Sequence, residues 1–490
     1  MFESAEIGHK LSKGRYKREE PKLRQALLAA QYELLARPRF AVLLIVGGVD
    51  GSGKGETVNL FSEWMDPRHL RALAFGKSNC EEVERPQMWR YWRALPPKGR
   101  IGMFFGSWYT DPIVDRVYRR IGRAQFERQL DRVRRLERML VAEDVLVVKL
   151  WFHLSRPQMR KRLKKLASNP LTGWRVTKDE WKHYKQYDRF RDVSEDALRE
   201  TSTGVAPWHV IEGYDADYRA LTAGKLVLAA LRHRLDGEVP PLPAPAPLPP
   251  PPIDGRNILK ALDYTARLSR PKYEKRLKEL QSELANLTRS RKMHRRALVG
   301  VFEGMDAAGK GSTIRRITNA LDARYYRVIP VAAPTEEERA QPYLWRFWRH
   351  IPAHGHTAIF DRSWYGRVLV ERVEGFASEQ AWMRAYQEIN DFESELAEAG
   401  GIVAKFWMAI TPDEQLRRFR QRKETAYKRY KITAEDWRNR KQWPQYERAV
   451  CDMIERTSTD LAPWNLIAAN DKLHARIEVL ERLVDALRRA

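Results

Sequence analysis

The chain of 490 residues contains only two cysteines, Cys80 and Cys451, and they lie in different halves of the sequence. This scarcity argues against a disulfide framework and against a metal site built on cysteine, and it favours a reducing compartment. The sequence also lacks long apolar runs: residues 1–10 contain no signal-peptide core, and the apolar runs elsewhere have the length of strands. We therefore expect a cytoplasmic protein without a membrane partner.

Acidic residues are in the minority. The chain has 64 Asp and Glu against 89 Lys and Arg, which gives a formal net charge of +25. Such a surplus predicts a polyanionic partner, and nucleic acid, an anionic membrane surface and an acidic small polymer all fit the charge alone. The length exceeds that of one ordinary core and predicts two or three domains.

Proline is concentrated in residues 239–253, which are VPPLPAPAPLPPPPI. This composition forms neither a helix nor a central strand and predicts an extended polyproline spacer. A docking motif for a partner is the alternative, but spacing alone explains the composition. The sequence thus predicts an N-terminal domain over 1–238, a linker over 239–253 and a C-terminal domain over 254–490.

The two halves contain the same motifs at one constant offset. The glycine-rich stretch that starts at Gly48 recurs at Gly304, 256 residues later. Four matches at one offset indicate a duplicated domain. The other three pairs are Trp89-Arg-Tyr-Trp92 with Trp345-Arg-Phe-Trp348, Ser107-Trp-Tyr109 with Ser363-Trp-Tyr365, and Thr201-Ser-Thr203 with Thr457-Ser-Thr459.

Each copy has the pattern of a doubly wound α/β domain. Nearly continuous apolar runs at 41–46, 145–150 and 402–408 are typical of parallel strands that are covered on both faces. Ahead of the second copy, the leucines of residues 273–284 recur at helical spacing and predict an amphipathic helix. The tryptophan pairs lie one helical turn apart and are expected to pack in the core rather than stack on bases. The eleven histidines show no metal-ligand spacing.

A glycine loop between a buried strand and a helix exposes backbone N–H groups that hold phosphate. Both copies fit the pattern G-x-x-x-x-G-K, but a glycine follows the lysine where the common motif has a magnesium-binding Ser or Thr. We therefore expect Asp306, inside the second loop, to hold the metal. The loop residues are Gly48, Asp50, Gly53, Lys54 and Gly55 in the first copy, and Gly304, Asp306, Ala307, Ala308, Gly309, Lys310, Gly311 and Ser312 in the second.

Catalytic charges follow a predicted strand only in the second copy. Residues 357–360 are apolar and end in Asp361-Arg-Ser-Trp-Tyr-Gly-Arg367. A carboxylate at that position suits a metal ligand or a base, and the arginines suit a transferring phosphoryl group. The first copy has Phe105, Gly106 and Asp111 at the matching positions. We expect it to be catalytically degenerate, with Asp50 and Lys54 left in its loop and Lys54 available to bind further phosphates.

A basic stretch begins at Thr411-Pro412, an N-cap followed by proline. It continues through Arg422, Lys428 and Lys431, and we interpret it as a lid that closes over phosphates. A solvated charged helix is the alternative interpretation. The first copy has Leu166 and Thr172 in place of Arg422 and Lys428.

Together these motifs resemble the polyphosphate kinase 2 family. The residues that carry the resemblance are Gly304-x-Asp306-x-x-Gly309-Lys310-Gly311, Tyr343-Leu-Trp-Arg-Phe-Trp348, Asp361-Arg-Ser-Trp-Tyr365, Phe419-x-x-Arg422 and Lys428-x-Tyr-Lys431. The fused double copy is similar to the family's two-domain polyphosphate:AMP phosphotransferases. The resemblance covers nearly the whole chain. Many members have Asn where this chain has Gly366 and Trp where it has Tyr430.

The resemblance implies two tandem P-loop kinase domains like thymidylate kinase, each with a helical lid. It implies Mg²⁺ dependence, with Mn²⁺ as a substitute, and a reversible transfer from inorganic polyphosphate to AMP that gives ADP. The catalytic residues would be Asp306, Lys310, Asp361 and Arg362. Phosphates would contact Gly304, the loop from Ala307 to Gly309, Gly311, Ser312, Arg422, Lys428 and Lys431, and the acceptor nucleotide would contact Asp361, Arg362 and Arg367.

Two other functions compete with this one. An ATP-dependent nucleotide kinase has the same fold, although the basic surplus disfavours it. A nucleic-acid-dependent motor would also use a P-loop and positive charge. Against the motor, the strand ends in Asp361-Arg362 instead of the Asp-Glu pair whose glutamate activates water, and no nucleic-acid recognition module is visible. We expect no nucleic-acid partner, and the sequence leaves a homo-oligomer open.

Overall fold

A computed structural model describes residues 1–237, 257–425, 432 and 434–490. The predicted linker, 239–253, lies outside these residues, so its extended form and the domain limits stay predictions. The chain divides into two compact units, one around each copy. Two short segments belong to the unit of the other copy: Asn79–Trp89 to the second unit and Thr335–Tyr343 to the first.

Each unit contains a five-stranded, wholly parallel sheet, and the strand order is the same in both. In the first the order is β2-β3-β1-β4-β5, and in the second it is β7-β8-β6-β9-β10. The strands are β1 (Ala41–Gly48), β2 (Leu70–Ala74), β3 (Ile101–Phe105), β4 (Val145–His153), β5 (Trp208–Glu212), β6 (Ala297–Gly304), β7 (Tyr326–Pro330), β8 (Thr357–Asp361), β9 (Gly401–Ala409) and β10 (Trp464–Ala468).

Helices connect the strands in both units. Those of the first copy are α1 (Lys13–Ala36), α2 (Lys54–Trp64), α3 (Cys80–Val83), α4 (Trp89–Trp92), α5 (Thr110–Val117), α6 (Arg123–Ala142), α7 (Arg156–Ser168), α8 (Lys178–Lys185), α9 (Tyr187–Thr201) and α10 (Ala216–Leu235). Those of the second are α11 (Arg270–Thr288), α12 (Lys310–Thr318), α13 (Glu336–Arg339), α14 (Trp345–Trp348), α15 (Val370–Val373), α16 (Glu379–Glu398), α17 (Pro412–Glu424), α18 (Ala434–Lys441), α19 (Trp443–Thr457) and α20 (Lys472–Arg489).

The strands predicted from apolar runs are confirmed as β1, β4 and β9. In β1 the first six residues are buried, as expected for a central strand with helices on both faces. The predicted amphipathic helix is α11, which buries Tyr273, Leu280 and Leu284. Both tryptophan pairs are buried, which confirms their assignment to packing. No helix in the described ranges is long and apolar enough to cross a membrane.

The repeated Ser-Trp-Tyr motif anchors a buried charge network in each core. In the second unit, the Trp364 indole and the Tyr365 hydroxyl donate hydrogen bonds to Glu393 at 3.0 and 2.7 Å. Lys405 of β9 donates to the other oxygen of Glu393 at 2.8 Å and to the Thr457 carbonyl at 2.7 Å. The first unit has the same arrangement around Glu137 and Lys149. The motif is therefore repeated because both cores need it.

Candidate active site

The second P-loop runs from the end of β6 into α12, as the sequence predicts. Gly304 must be glycine, because it has a φ of 150° and a Cβ there would lie 2.5 Å from the Met408 carbonyl oxygen on β9. Gly309, with a φ of 112°, is the N-cap of α12. Lys310 folds back over the loop and donates a hydrogen bond to the Gly304 carbonyl at 2.6 Å. The backbone amides of the loop therefore lie at a helix N-terminus, which is the geometry that binds phosphate.

The strand-end charges lie beside this loop. Asp361 is the last residue of β8 and pairs in register with Phe302 of the neighbouring β6. Arg362 has a left-handed backbone, with a φ of 65°, and its Nη2 lies 3.3 Å from Asp306 Oδ1. Topology thus brings together the four predicted catalytic residues, Asp306, Lys310, Asp361 and Arg362.

A basic cleft of about 610 Å³ opens over the loop. The predicted Arg422 lies on its wall. Four further cations on the wall were missed by the sequence analysis: Arg315, Arg316, Lys472 and Arg476. The first two follow the loop on α12 and could have been found from that position, whereas Lys472 and Arg476 come from α20 at the far end of the chain. Arg476 donates a hydrogen bond to the Ser312 hydroxyl at 3.2 Å.

Arg418 stabilises the P-loop through hydrogen bonds to its backbone carbonyls. It lies in the basic stretch that the sequence suggests as a lid, but it is 2 % exposed. Its Nη1 donates to the carbonyls of Ala307 and Ala308, both at 2.9 Å, and its Nη2 donates to those of Ala469 and Asn470. This arginine is therefore a structural brace rather than a lid cation.

The predicted lid is described only in part. Its helix, α17, begins at Pro412, and the Thr411 hydroxyl accepts a hydrogen bond from the Glu414 amide, so the predicted N-cap is confirmed. The helix ends at Glu424. Lys428, Tyr430 and Lys431 lie outside the described residues, and a lid function stays a prediction.

Glu303 is a buried acid that the sequence analysis missed. It directly precedes Gly304, is 5 % exposed and accepts a hydrogen bond from the Ser363 hydroxyl at 2.8 Å. Burial raises its pKa, and the nearby Lys310 opposes that shift. Burial also lowers the pKa of Lys310, against the opposing effect of Asp306. The first copy has Gly47 in place of Glu303, a difference that a comparison of the two copies would have revealed.

A second, smaller cavity of about 80 Å³ lies on the other side of Asp306 and Arg362. Its wall includes Gly366, Asn439, Trp443 and Tyr446. Asn439 donates a hydrogen bond to Asp306 Oδ2 at 2.9 Å. Arg367 lines neither cavity and forms an ion pair with Glu371 at 2.8 Å.

The acids of the site suit a hard divalent metal. Among the described residues no group of three or more His, Cys, Asp and Glu is arranged around a metal position. Asp306 and Asp361 nevertheless share the wall of the basic cleft, and carboxylates are the side chains that Mg²⁺ prefers, together with water and substrate phosphates. Two carboxylates at a P-loop are thus a fitting partial ligand set.

The first copy keeps the loop but not its surroundings. Gly48 and Gly53 have φ values of 140° and 89°, and Lys54 donates to the Gly48 carbonyl at 2.6 Å. At the strand end, Phe105 and Gly106 replace the acid and the arginine. The first loop therefore lacks the charged groups that the second has around it.

Known proteins resemble both copies of the domain in this chain. The family described as "Polyphosphate kinase 2 (PPK2)" matches residues 10–237 and again 267–490. The polyphosphate:AMP phosphotransferase of Pseudomonas aeruginosa is 51% identical over 491 residues, which cover 100% of this chain and 99% of that protein. The polyphosphate:AMP phosphotransferase of Acinetobacter johnsonii is 38% identical over 96% of both chains. A crystal structure of a polyphosphate kinase 2 from Pseudomonas aeruginosa superposes with a TM-score of 0.91 at 50% identity, over 100% of this chain and 99% of that one.

Proposed function

Because this chain belongs to the polyphosphate kinase 2 family, we propose that it transfers the terminal phosphoryl group of inorganic polyphosphate to AMP. The products are ADP and a shortened polyphosphate, and the reaction is reversible. One observation carries the proposal: a large basic cleft, lined by Asp306, Lys310, Asp361 and Arg362, shares two of these wall residues, Asp306 and Arg362, with a smaller pocket. A polymeric donor and a compact acceptor need two such compartments.

The donor lies in the basic cleft. The loop amides from Ala307 to Gly311 and the Lys310 ammonium hold the terminal phosphoryl group, and the cations of α12, α17 and α20 neutralise the phosphates behind it. Polyphosphate carries about one negative charge per phosphate. A long polyphosphate therefore brings more negative charge to the cations of this cleft than ATP does. Arg418 keeps the loop in place through its two carbonyl contacts.

The acceptor binds at the smaller pocket, which at about 80 Å³ encloses only part of a nucleotide. Arg362 lines both compartments, so its guanidinium is placed to hold the AMP phosphate against the terminal phosphoryl group. Asp361 positions the attacking oxygen, and the attack is in line. Because phosphoryl transfer has a loose transition state, positioning and charge neutralisation supply most of the rate. Arg367, in its ion pair with Glu371, has the weaker claim to an acceptor contact.

Magnesium, or manganese in its place, would be held by Asp306 and Asp361. When bound, it would neutralise charge on the transferred phosphoryl group. Water and the donor's phosphates would complete its ligands. The proposal also places the protein in the cytoplasm, in line with two free cysteines.

The test is ADP formation from AMP with each donor in turn. We expect ADP from polyphosphate and Mg²⁺, and ADP from ATP but not from polyphosphate would refute the proposal. Matched loop variants locate the site: Lys310→Ala should lower turnover by at least about 100-fold, whereas Lys54→Ala should leave it within about twofold. An equal loss in both folded variants would require two working sites or obligate coupling between the copies.

A further inference from the structure

The first unit contains a cavity of about 380 Å³ at the carboxyl ends of its strands. Small-molecule sites in proteins range from about 300 to 1,000 Å³ and are mostly apolar with a few polar groups. This cavity has that composition. Its aromatic wall consists of Phe75, Phe105, Tyr109, Trp151, Tyr187, Phe190 and Trp208.

Its position is that of the smaller pocket in the second copy. At the constant offset, Trp151, Tyr187 and Phe190 correspond to Trp407, Trp443 and Tyr446, which line the pocket beside Arg362. The cavity of the first copy is larger, about 380 Å³ against about 80 Å³, and three charged residues of the second copy are replaced beside it. Gly47, Phe105 and Gly106 stand where the second copy has Glu303, Asp361 and Arg362.

The polar groups at the loop end of the cavity neutralise one another. Asp50 Oδ2 lies 2.7 Å from His183 Nδ1, and its other oxygen lies 3.7 Å from Lys54 Nζ. Burial acts to raise the pKa of Asp50, but the His183 hydrogen bond and the Lys54 charge outweigh it and lower that pKa. Polar atoms of a ligand could hydrogen-bond to this group, but it offers little net charge to an anion.

In the first copy, side chains of the protein fill the space beside the P-loop where phosphate would bind. Glu56 stands where the second copy has Ser312, and its carboxylate pairs with Arg219 at 2.7 Å and also with Arg162. The Arg219 guanidinium packs so tightly on Gly53 that a Cβ there would collide with it. In the second copy Ala475 replaces Arg219, and a Cβ on Gly309 would meet nothing nearer than 3.7 Å. A side-chain carboxylate and an arginine thus occupy the space where the second copy has its cleft.

We propose that the first copy binds a nucleoside, with its base among the aromatic rings of this cavity, and that it has no subsite for phosphate. The choice of a nucleoside rests on the proposed function, because the corresponding pocket of the second copy is the one assigned to AMP. Stacking on aromatic rings suits any base. The Asp50–His183 pair provides a polar partner for the sugar hydroxyls or the base edge.

The experiment is equilibrium dialysis of radiolabelled adenosine against the full-length protein and two glycine variants. Gly76 lines the cavity, and a Cβ on it would meet nothing within 4 Å, so Gly76→Trp adds a large side chain at a position without backbone strain. Gly204→Trp is the matched control, because Gly204 has the same free space but does not line the cavity. We expect Gly76→Trp to bind one adenosine fewer per chain than the wild type and Gly204→Trp to bind as the wild type does.

AMP provides the second arm. AMP should show the same number of sites in the wild type and in Gly76→Trp, and Glu56→Ser should add a site by freeing Arg162 and Arg219. Unchanged adenosine binding in Gly76→Trp would overturn the nucleoside site, and an AMP site lost in that variant would overturn the absence of a phosphate subsite. ADP formation from polyphosphate is measured in parallel and should be unchanged in Gly76→Trp. A failure of the nucleoside site is thereby distinguished from a failure of the proposed transfer.

Discussion

Asp361 Oδ2 lies 3.7 Å from the point where a Cβ atom on Gly311 would stand. Gly311 occupies the position at which common P-loops have the Ser or Thr that ligates magnesium. The carboxylate therefore approaches the space that a hydroxyl would fill. If the loop holds magnesium as proposed, the carboxylate of Asp361, from the neighbouring strand β8, would take the place of that hydroxyl as a metal ligand.

The first prediction concerns Asp361 as a metal ligand in place of the Ser or Thr hydroxyl of common P-loops. Asp361→Asn should lower the rate of ADP formation by about 100- to 1,000-fold, because it removes a charge beside the transferred group. It should also raise the Mg²⁺ concentration needed for half-maximal rate. Adding Gly311→Ser to that variant should lower the Mg²⁺ requirement again, because a hydroxyl is restored near the metal.

Magnesium titrations of the single and double variants check this prediction. Gly55→Ser, at the matching position of the first copy, is the control and should not change the Mg²⁺ requirement. A Mg²⁺ requirement that stays at the wild-type value in Asp361→Asn would show that Asp361 is not a metal ligand.

The second prediction concerns Arg418 and its exposed neighbour Arg417. Both pair with Glu414, but Arg418 is buried and donates to four carbonyls, whereas the side chain of Arg417 is 60% exposed. Arg418→Ala should destabilise the second unit by about 3–5 kcal/mol, because it leaves buried acceptors unpaired. Arg417→Ala should cost less than about 1 kcal/mol. Urea unfolding measures both, and equal costs would contradict the role of Arg418 as a brace.

Local patterns in the sequence predicted the parts of the site that lie close together along the chain. A few consecutive residues are enough to identify the apolar run before Gly304, the loop glycines and the acid that ends β8. The constant offset between the copies then identified Phe105 and Gly106 as losses. These features are local, so hydrophobic periodicity and turn chemistry determine them.

Two of the groups that sequence analysis missed, Arg418 and Arg476, are distant in sequence from the loop residues that they contact. Arg418 lies more than 100 residues from Ala307, and nothing in the run of arginines around it distinguishes the buried one from the exposed ones. Arg476 approaches Ser312 only because α20 packs against the sheet beside α12. The Ser-Trp-Tyr repeat was visible, but its role depends on Glu393 and Lys405, which the fold brings together.

The third prediction concerns the pH dependence of donor binding. In the proposed function Lys310 binds phosphate as an ammonium, and burial lowers its pKa from the ordinary lysine value of 10.5. The free enzyme should therefore lose this charge at a lower pH than an exposed lysine would, and kcat/KM for polyphosphate should fall on the alkaline side. Lys310→Arg keeps its charge at these pH values, so its lower kcat/KM should show a flatter alkaline limb. The same limb in both proteins would assign the titration to another group.

The fourth prediction concerns the buried pair Lys405–Glu393, whose charged atoms are 2.8 Å apart and almost fully buried. Burial raises the pKa of Glu393 and lowers that of Lys405. Lys405→Met would leave the acid without its cation and should destabilise the second unit by about 3–5 kcal/mol near pH 7. The double variant Lys405→Met, Glu393→Gln should lose less, because no unpaired charge remains. Urea unfolding at several pH values measures both.

The pH dependence of the stability of Lys405→Met distinguishes the effect of an unpaired buried carboxylate from that of lost packing. A carboxyl whose folded-state pKa lies above its unfolded value of 4.5 holds a proton in the folded protein that it releases on unfolding. Stability in Lys405→Met should therefore rise as the pH falls from 7 toward 4.5, relative to wild type. The double variant lacks the acid and should not show this recovery. A deficit in Lys405→Met that is constant over that range would mean that lost packing, and not the unpaired carboxylate, accounts for it.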